Sequence, residues 1–253
     1  MTRIKFAISF GLICIFLFLR LYKIQDSLFF FNDMGRDMLV LYNWQQTGKP
    51  PLLGPQTSAL PLNQSPLYYY YLYPFYLLTN ASPYTALIAN AFLYIVSFVL
   101  SLYFFRKDHK SYFLVFISYF LITIHPQYIA QSRFVWNPSL VTPLIIASTL
   151  AFFKNRIVLF SLFVSLAFSL SYSVFPFIVA TVIYYLIFIR QKIFKFVSFL
   201  SLFILITNLT LFAQISRNLI KHGHLINSSQ VHQTGQGIGN KVKSFTDYVL
   251  EIR

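Results

Sequence analysis

The chain has 253 residues, of which 57% are hydrophobic and only 10% are charged. Its mean hydropathy of +0.63 and its apolar runs of near-spanning length exclude a soluble domain and predict an all-α, polytopic membrane bundle. The net charge of +14 does not indicate a nucleic-acid partner, because half of the twenty Lys and Arg residues lie at the ends of apolar runs on one side.

The first predicted element is a retained membrane helix at the N-terminus. Arg3 and Lys5 precede an apolar run, as in a signal peptide, but no small-residue cleavage site follows it. Arg20 and Lys23 are expected to reach the far membrane interface with their long side chains. Cys14 is the only cysteine, so one chain can form neither an internal disulfide nor a cysteine-based metal site.

The hydropathy pattern predicts seven spans. They lie at about 6–22, 83–105, 111–125, 139–153, 157–172, 174–189 and 196–213. The run 157–189 must cross twice, with its break near Ser171 and Pro176, whereas the shorter run Pro66 to Leu78 is expected not to cross. With the N-terminus in the cytoplasm, ten of the twenty cations then fall on the inner side, as the positive-inside rule requires.

This threading makes the two sides of the membrane unequal. A long loop (23–82), a shorter loop (126–138) and a C-terminal segment (214–253) lie outside, whereas the inner loops are short connectors. Residues 1–213 are thus expected to form a multi-pass domain of the plasma membrane, followed by an extracytoplasmic segment. Any chemistry is expected on the outer side.

Asp33 and Asp37 are two of only six acidic residues and follow closely after the first apolar run. Asn32 or Asp33 is a good N-cap for a helix to about Gln46, which Gly48 would end. In such a helix the two acids lie one turn apart on the same face. The pair could serve as a general base for an attacking hydroxyl, as a site for Mg²⁺ or Mn²⁺, or as both.

A structural interpretation of these charged residues stays open. In it, Asp33 caps the helix and Asp37 pairs with Arg36 or Arg133. Arg133 is the one cation of the loop 126–138, where it could bind an anionic ligand or meet lipid phosphates.

A second surface helix is predicted from Ser65 and Pro66 onward, because proline fits the first turn of a helix. This segment is rich in tyrosine and includes Tyr69 and Tyr70. The tyrosines could stack on sugar rings or bond to a lipid phosphate, or they could form an aromatic belt at the interface.

In their order and spacing, four segments of the chain resemble the membrane glycosyltransferases of the GT-C superfamily, in particular the group related to protein O-mannosyltransferases and to the aminoarabinose transferase of lipid A. The segments are Asp33-Met34-Gly35-Arg36-Asp37, Leu53-Gly54-Pro55, Ser65-Pro66-Leu67-Tyr68-Tyr69-Tyr70 and Ser132-Arg133-Phe134-Val135-Trp136-Asn137-Pro138. The likeness runs from the first span through the seventh. Met34 stands where many relatives have a second acid, which argues against metal binding. The family usually continues through further spans, so this chain is expected to be the front part of an enzyme.

The resemblance implies an activity and roles for single residues. Family members move a sugar from a polyprenyl phosphate to an acceptor in the cell envelope on the outer side, and a single displacement inverts the anomeric carbon. By position, Asp33 looks like the family's essential acid, as base or as metal ligand, with Asp37 assisting and Arg133 meeting the phosphate. Further substrate contacts are expected at Arg36, Asn137, Tyr69 and Tyr70.

Another class of function stays open beside this one. The chain could be a non-catalytic membrane protein that binds polyprenyl lipid, or a transporter-like bundle. A transporter usually carries ionisable groups within its spans near the midplane, whereas here the polar groups concentrate in the outer loops. This distribution favours chemistry at the membrane surface.

Overall fold

A computed structural model describes residues 3–27, 32–57, 62–133, 136–189 and 192–222 of the chain. Within these ranges the chain forms α-helices and two short 3-10 turns, Asn137–Leu140 and Tyr172–Val174, and no β-strand. The helices are α1 (Arg3–Leu21), α2 (Ile24–Ser27), α3 (Asn32–Thr47), α4 (Leu67–Leu78), α5 (Thr85–Phe105), α6 (His109–Ile124), α7 (Pro126–Arg133), α8 (Val141–Phe153), α9 (Ile157–Leu170), α10 (Phe175–Phe188), α11 (Ile193–Thr207) and α12 (Leu209–His222). The predicted all-α class is confirmed.

Two helical stretches are long and apolar enough to cross a membrane, Lys5–Asp26 and Thr85–Phe105. Two bent pairs raise this number to four if each pair is one span: α6 with α7, bent by 69°, and α11 with the start of α12, bent by 77°. Helices α8, α9 and α10 are apolar but shorter. By length and composition, the described part of the chain thus carries two to four candidate spans, and the division into seven stays a prediction.

The break predicted inside the run 157–189 is confirmed. Helix α9 ends at Leu170, Ser171 is extended with φ −157° and ψ 128°, and α10 begins at Phe175 with Pro176 in its first turn. Because proline lacks an N–H and its ring clashes with the preceding turn, Pro176 fits the first turn of α10 and would destabilise a helix that continued through it.

The predicted span 196–213 contains a sharp bend that was not predicted from the sequence. Helix α11 already ends at Thr207, and α12 leaves it at 77°. The buried side chain of Asn208 donates to the carbonyl of Ile204 and to the Thr207 hydroxyl, and so competes with the regular helical pattern at this point. The predicted domain boundary 213/214 therefore falls inside α12, and residues 223–253 lie outside the described part.

The centre of the bundle is α9, which packs against α8 and α11. Ser161, Ser165 and Ser169 are spaced four residues apart on α9 and are fully buried. Small side chains on one face let neighbouring helices approach closely. The large hydrophobic core cluster around α9 also includes Tyr68 and Tyr69 of α4, so this surface helix is anchored in the bundle.

Helices α3 and α4 confirm the two helices predicted for the first outer loop. The amide of Gly48, which has φ +66°, donates to the carbonyl of Trp44 and ends α3. Helix α4 begins one residue after Pro66 and has 12 residues. That this run does not cross the membrane stays a prediction.

Two contacts bring basic connectors together at one end of the bundle. The Nζ of Lys5 lies 3.1 Å from Nδ1 of His109, between the start of α1 and the start of α6. Asp108 forms an ion pair with Lys154, which joins the α5–α6 connector to the α8–α9 connector. Helix α4 instead packs near the start of α5, where the Tyr71 hydroxyl donates to the carbonyl of Ala89 over 2.7 Å.

Candidate functional site

The first turns of α3 place three charged side chains in one cluster. Arg36 donates from Nε and Nη2 to the same oxygen of Asp37, Oδ1, over 2.9 and 2.8 Å. Its Nη1 donates to Oδ1 of Asp33 over 3.0 Å. The two acids thus share one face of α3, as predicted, and one guanidinium lies between them.

The two carboxylates differ in their exposure. The side chain of Asp33 is 38% exposed, whereas Asp37 is only 3% exposed. The second oxygen of Asp37, Oδ2, is buried without a hydrogen-bond partner among the described residues. A substrate hydroxyl could therefore approach Asp33 from solvent, whereas Asp37 acts from within the protein.

Two tyrosines of α4 complete the surroundings of Asp37. The hydroxyl of Tyr69 donates to Oδ1 of Asp37 over 3.0 Å. Burial raises the pKa of Asp37 to about 6, and the nearby Arg36 and Tyr69 offset this rise only in part. Burial and the charge of Asp37 raise the pKa of Tyr69 and Tyr68 above their usual range, so both phenols keep their protons.

Arg36 stays charged in this setting. Burial acts to lower its pKa, but the charge of Asp37 and the hydrogen bonds to it outweigh this and raise the pKa overall. Arg36 therefore brings a permanent positive charge to the surface of α3, next to the exposed carboxylate of Asp33.

The cluster is a poor site for a divalent cation. Asp33 and Asp37 both accept hydrogen bonds from Arg36, so a metal ion bound to them would lie next to a guanidinium. Within the described ranges, no group of three or more His, Cys, Asp or Glu side chains could hold a metal. Mg²⁺ and Mn²⁺ favour sites rich in oxygen ligands, and here the guanidinium of Arg36 already occupies the space between the two carboxylates.

Aromatic contacts fix α4 against α3. The rings of Trp44 and Tyr73 stack with 3.8 Å between centroids, and Trp44 also meets the edge of Tyr70 at 5.4 Å. The Tyr70 hydroxyl donates to the carbonyl of Pro51 over 2.8 Å. Of the two predicted tyrosines, Tyr69 therefore joins the acid cluster, whereas Tyr70 holds the chain that follows α3.

The strand-like segments on either side of residues 58–61 meet just before α4. The amide of Gly54 donates to the carbonyl of Gln64 over 3.0 Å, and the amide of Gln64 donates to the carbonyl of Pro55 over 2.9 Å. A Cβ atom on Gly54 would lie only 2.1 Å from the carbonyl oxygen of Ser65. The Leu53-Gly54-Pro55 segment thus needs glycine for close backbone approach.

Asn137 connects this loop to helix α9. Its side chain is buried and donates from Nδ2 to the side-chain oxygen of Gln64 and to the carbonyl of Leu170. These contacts give the predicted substrate residue a structural task, because it ties the outer loop to the end of α9.

Arg133 lies at the end of α1. Its Nη2 donates to the carbonyls of Leu19 and Tyr22 over 2.9 and 2.8 Å. Arg20, which was expected to reach the membrane interface, is 1% exposed and donates to the carbonyls of Ile122 and Thr123, so its side chain is bound within the bundle. Carbonyls at the ends of helices lack partners within the helix, and these two cations satisfy them.

Sequence reasoning missed three residues around the site. Tyr68 lies beside Asp37. The side-chain oxygen of Gln64 accepts a hydrogen bond from Asn137, and that of Gln214 in α12 accepts one from the amide of Asn63. Tyr68 could have been identified from the sequence, because it precedes Tyr69 in the aromatic run that begins α4. Gln214 could not, because its partner Asn63 is 151 residues away in the chain.

A scan against protein-family models finds no match to this chain, and searches of curated proteins and of solved structures find no significant similarity either.

Proposed function

We propose that this chain is a membrane glycosyltransferase, or the front part of one, which moves a sugar from a polyprenyl phosphate to an envelope acceptor on the outer side of the plasma membrane. The observation that carries the proposal is the cluster on α3, in which a half-exposed Asp33 lies beside Arg36, itself held by the buried Asp37. The resemblance to the GT-C superfamily in the segments quoted above agrees with it.

The cluster supplies the two groups that such a transfer needs. Asp33 accepts the proton of the acceptor hydroxyl, whose oxygen attacks the anomeric carbon of the sugar. The bond from that carbon to the phosphate oxygen breaks, and polyprenyl phosphate leaves with the bonding electrons. Arg36 stabilises the negative charge on the departing phosphate. One displacement inverts the anomeric configuration.

The remaining predicted residues support this centre. Asp37 and Tyr69 fix the orientation of Arg36, and Asn137 and Tyr70 hold the loop around α3 and α4. Arg133 at the end of α1 keeps its predicted role as a second cation for phosphate. No step requires a metal ion.

The proposed topology has seven spans, α1, α5, α6, α8, α9, α10 and α11, with the N-terminus in the cytoplasm. The ion pair of Asp108 with Lys154 and the contact of Lys5 with His109 gather basic connectors at one end. Cations favour the cytoplasmic side. The end with α3 and α4 then faces outward.

The experiment compares Asp33→Asn with Asp26→Asn, a matched change at an exposed acid of the same loop. Membranes that contain each full-length variant receive polyprenyl phosphates charged with different radiolabelled sugars, and transfer to envelope material is counted. We expect Asp33→Asn to reduce transfer by about a hundredfold or more, the scale of general-base catalysis, and Asp26→Asn to keep it.

Normal transfer by Asp33→Asn would remove Asp33 from the mechanism. Binding of polyprenyl phosphate without transfer by any variant would favour the non-catalytic lipid-binding protein instead. Uptake of solute into sealed vesicles, with no transfer, would favour the transporter-like bundle.

A further inference from the structure

A second site lies at the other end of the bundle from the acid cluster. A cavity of about 210 Å³ lies between the C-terminal half of α5 and helices α8 and α9. Its walls are mostly apolar and include Leu100, Ala147 and Leu159, while Lys154 and Arg156 line its end. Helix α4, which carries Tyr69, packs instead near Ala89 in the first turns of α5.

The cavity suits a hydrocarbon chain better than water. An apolar cavity of about 150 Å³ stays dry and takes up apolar ligands, and this one is larger. Leu100 is 43% exposed and Phe104 is 57% exposed, so the cavity opens sideways onto the apolar surface of the bundle. An acyl chain could therefore enter from the surrounding lipid without passing through water.

The charged end of the cavity is strongly basic. The ion pair of Asp108 with Lys154 joins the connector 106–110 to the connector 154–156. Together these connectors carry five Lys and Arg residues and a single acid. Arg156 is exposed at the edge of the cavity, after a tight turn at Asn155, which has φ +53°. A phosphate headgroup would complement this charge.

We propose that this cavity binds one acyl chain of an anionic phospholipid from the cytoplasmic leaflet, with the phosphate held by Lys154 and Arg156. The site is separate from the proposed glycosyl transfer, and only its assignment to the cytoplasmic leaflet rests on the topology proposed above. The two connectors and helices α5, α8 and α9 would thereby be held together by a bound lipid.

The test uses the purified full-length chain in detergent and native mass spectrometry. Phosphatidylglycerol and phosphatidylcholine with identical acyl chains are the probes. We expect the wild-type protein to retain phosphatidylglycerol preferentially, and Arg156→Gln to weaken this retention about fivefold. Lys107→Gln is the matched control, because it removes a cation of the neighbouring connector that does not line the cavity, and we expect a smaller effect from it.

Two further variants test the acyl chain. Ala147→Trp fills the cavity, and Leu100→Trp narrows its exposed mouth without adding volume to the packed core, so it tests the site even if the first variant does not fold. We expect either of them to abolish lipid retention.

Three results would overturn the site. They are equal retention of the two lipids by the wild-type protein, unchanged retention after Arg156→Gln, and unchanged retention after Leu100→Trp. Preferential loss of a co-purified polyprenyl phosphate from Leu100→Trp would assign the cavity to that lipid and also overturn the proposal.

Discussion

Asp33 and Asp37 carry the same functional group one helical turn apart, and their surroundings give them different tasks. Asp33 is half-exposed and shares one donor of Arg36, whereas Asp37 is buried and receives two donors of Arg36 and the hydroxyl of Tyr69. Burial destabilises the ionised form of an acid, and the ion pair of Asp37 with Arg36 offsets only part of that destabilisation. Asp33 is the acid that a substrate hydroxyl can reach, and the buried Asp37 holds the cation in place.

The burial of Asp37 predicts a pH dependence of stability. Its pKa in the folded protein is about 6, above the usual 3.8, so the folded state binds this proton more tightly than the unfolded state does. The resulting stabilisation is fully present below pH 3.8 and is lost as the pH rises through about 6, by up to about 3 kcal/mol.

Unfolding of the purified protein by denaturing detergent, followed by circular dichroism between pH 4 and pH 7, measures this change. Asp37→Asn has no proton to release, so its stability should vary less with pH over this range. The control Asp26→Asn, an exposed acid of the same loop, should follow the wild-type curve. Parallel curves for the wild-type protein and Asp37→Asn would contradict the assignment of the shifted pKa to Asp37.

At the scale of elements, the placement of α4 depends on the close backbone contact between Gly54 and Ser65. Helix α4 supplies Tyr69 to Asp37 and begins at Leu67, just after Ser65, whose carbonyl lies against Gly54. The geometry of the acid cluster is therefore coupled to a backbone contact outside it.

Gly54→Ala is predicted to destabilise the protein and to disturb the acid cluster. The added Cβ would lie 2.1 Å from the Ser65 oxygen, and both atoms at the contact belong to the backbone or its first substituent, so neither can move aside cheaply. We expect a loss of about 1–3 kcal/mol, as for overpacked cores. Gly11→Ala is the control, because nothing lies within 4 Å of its added Cβ, and it should raise helix stability slightly. Equal stability of the two variants, measured by thermal unfolding, would show that the backbone at Gly54 and Ser65 can move apart without a loss of stability.

Gln214 is predicted to fasten α12 to the outer loop. Its Oε1 accepts from the amide of Asn63 over 3.0 Å, and the Tyr172 hydroxyl donates to the Asn63 carbonyl over 3.0 Å. Gln214→Leu leaves the Asn63 amide without this acceptor, at a cost of about 1 kcal/mol. Hydrogen exchange in the peptide that contains Asn63 should become several-fold faster. Gln46→Leu, an exposed site in α3, should leave it unchanged, and unchanged exchange in both variants would contradict the fastening role.

The elements that the sequence predicts well are those whose signals are local. Gly48 ends α3, Ser65 and Pro66 precede α4, and Ser171 with Pro176 marks the break between α9 and α10. Each signal acts through φ, ψ or a missing N–H at its own position. By contrast, the end of α11 at Thr207 was not predicted, because the apolar run continues beyond it.

Residue roles were harder to predict than elements, because they depend on partners distant in the chain. The acid pair was found because both residues share one helix face and Arg36 lies between them in the sequence. The burial of Arg20 and the backbone contacts of Arg133 connect α1 with helices more than 100 residues away. Periodicity gives the face of a helix, but it does not identify the neighbouring helix.

At the scale of the whole molecule, charge is divided between the two ends of the bundle. The ion pair of Asp108 with Lys154 and the contact of Lys5 with His109 collect basic connectors at one end, and the acid cluster of α3 lies with α4 near the start of α5. The proposed topology places this basic end in the cytoplasm, as the positive-inside rule favours. The site and the lipid cavity would then face opposite leaflets.

Single cysteines test both the orientation and the number of spans. In a Cys14→Ala background, an impermeant maleimide on intact cells should label Leu52→Cys and Gln127→Cys, which are exposed positions of the two outer loops. Lys107→Cys in the connector between α5 and α6, and Phe194→Cys in the first turn of α11, are both exposed and should react only after the cells are permeabilised. Because α8, α9 and α10 lie between Gln127 and Phe194, labelling of the first and protection of the second require an odd number of crossings among these helices, as the three proposed ones give. Labelling of Phe194→Cys on intact cells, with Lys107→Cys still protected, would contradict the seven-span topology. The reverse pattern at all four positions would place Asp33 in the cytoplasm and remove the basis of the proposed reaction.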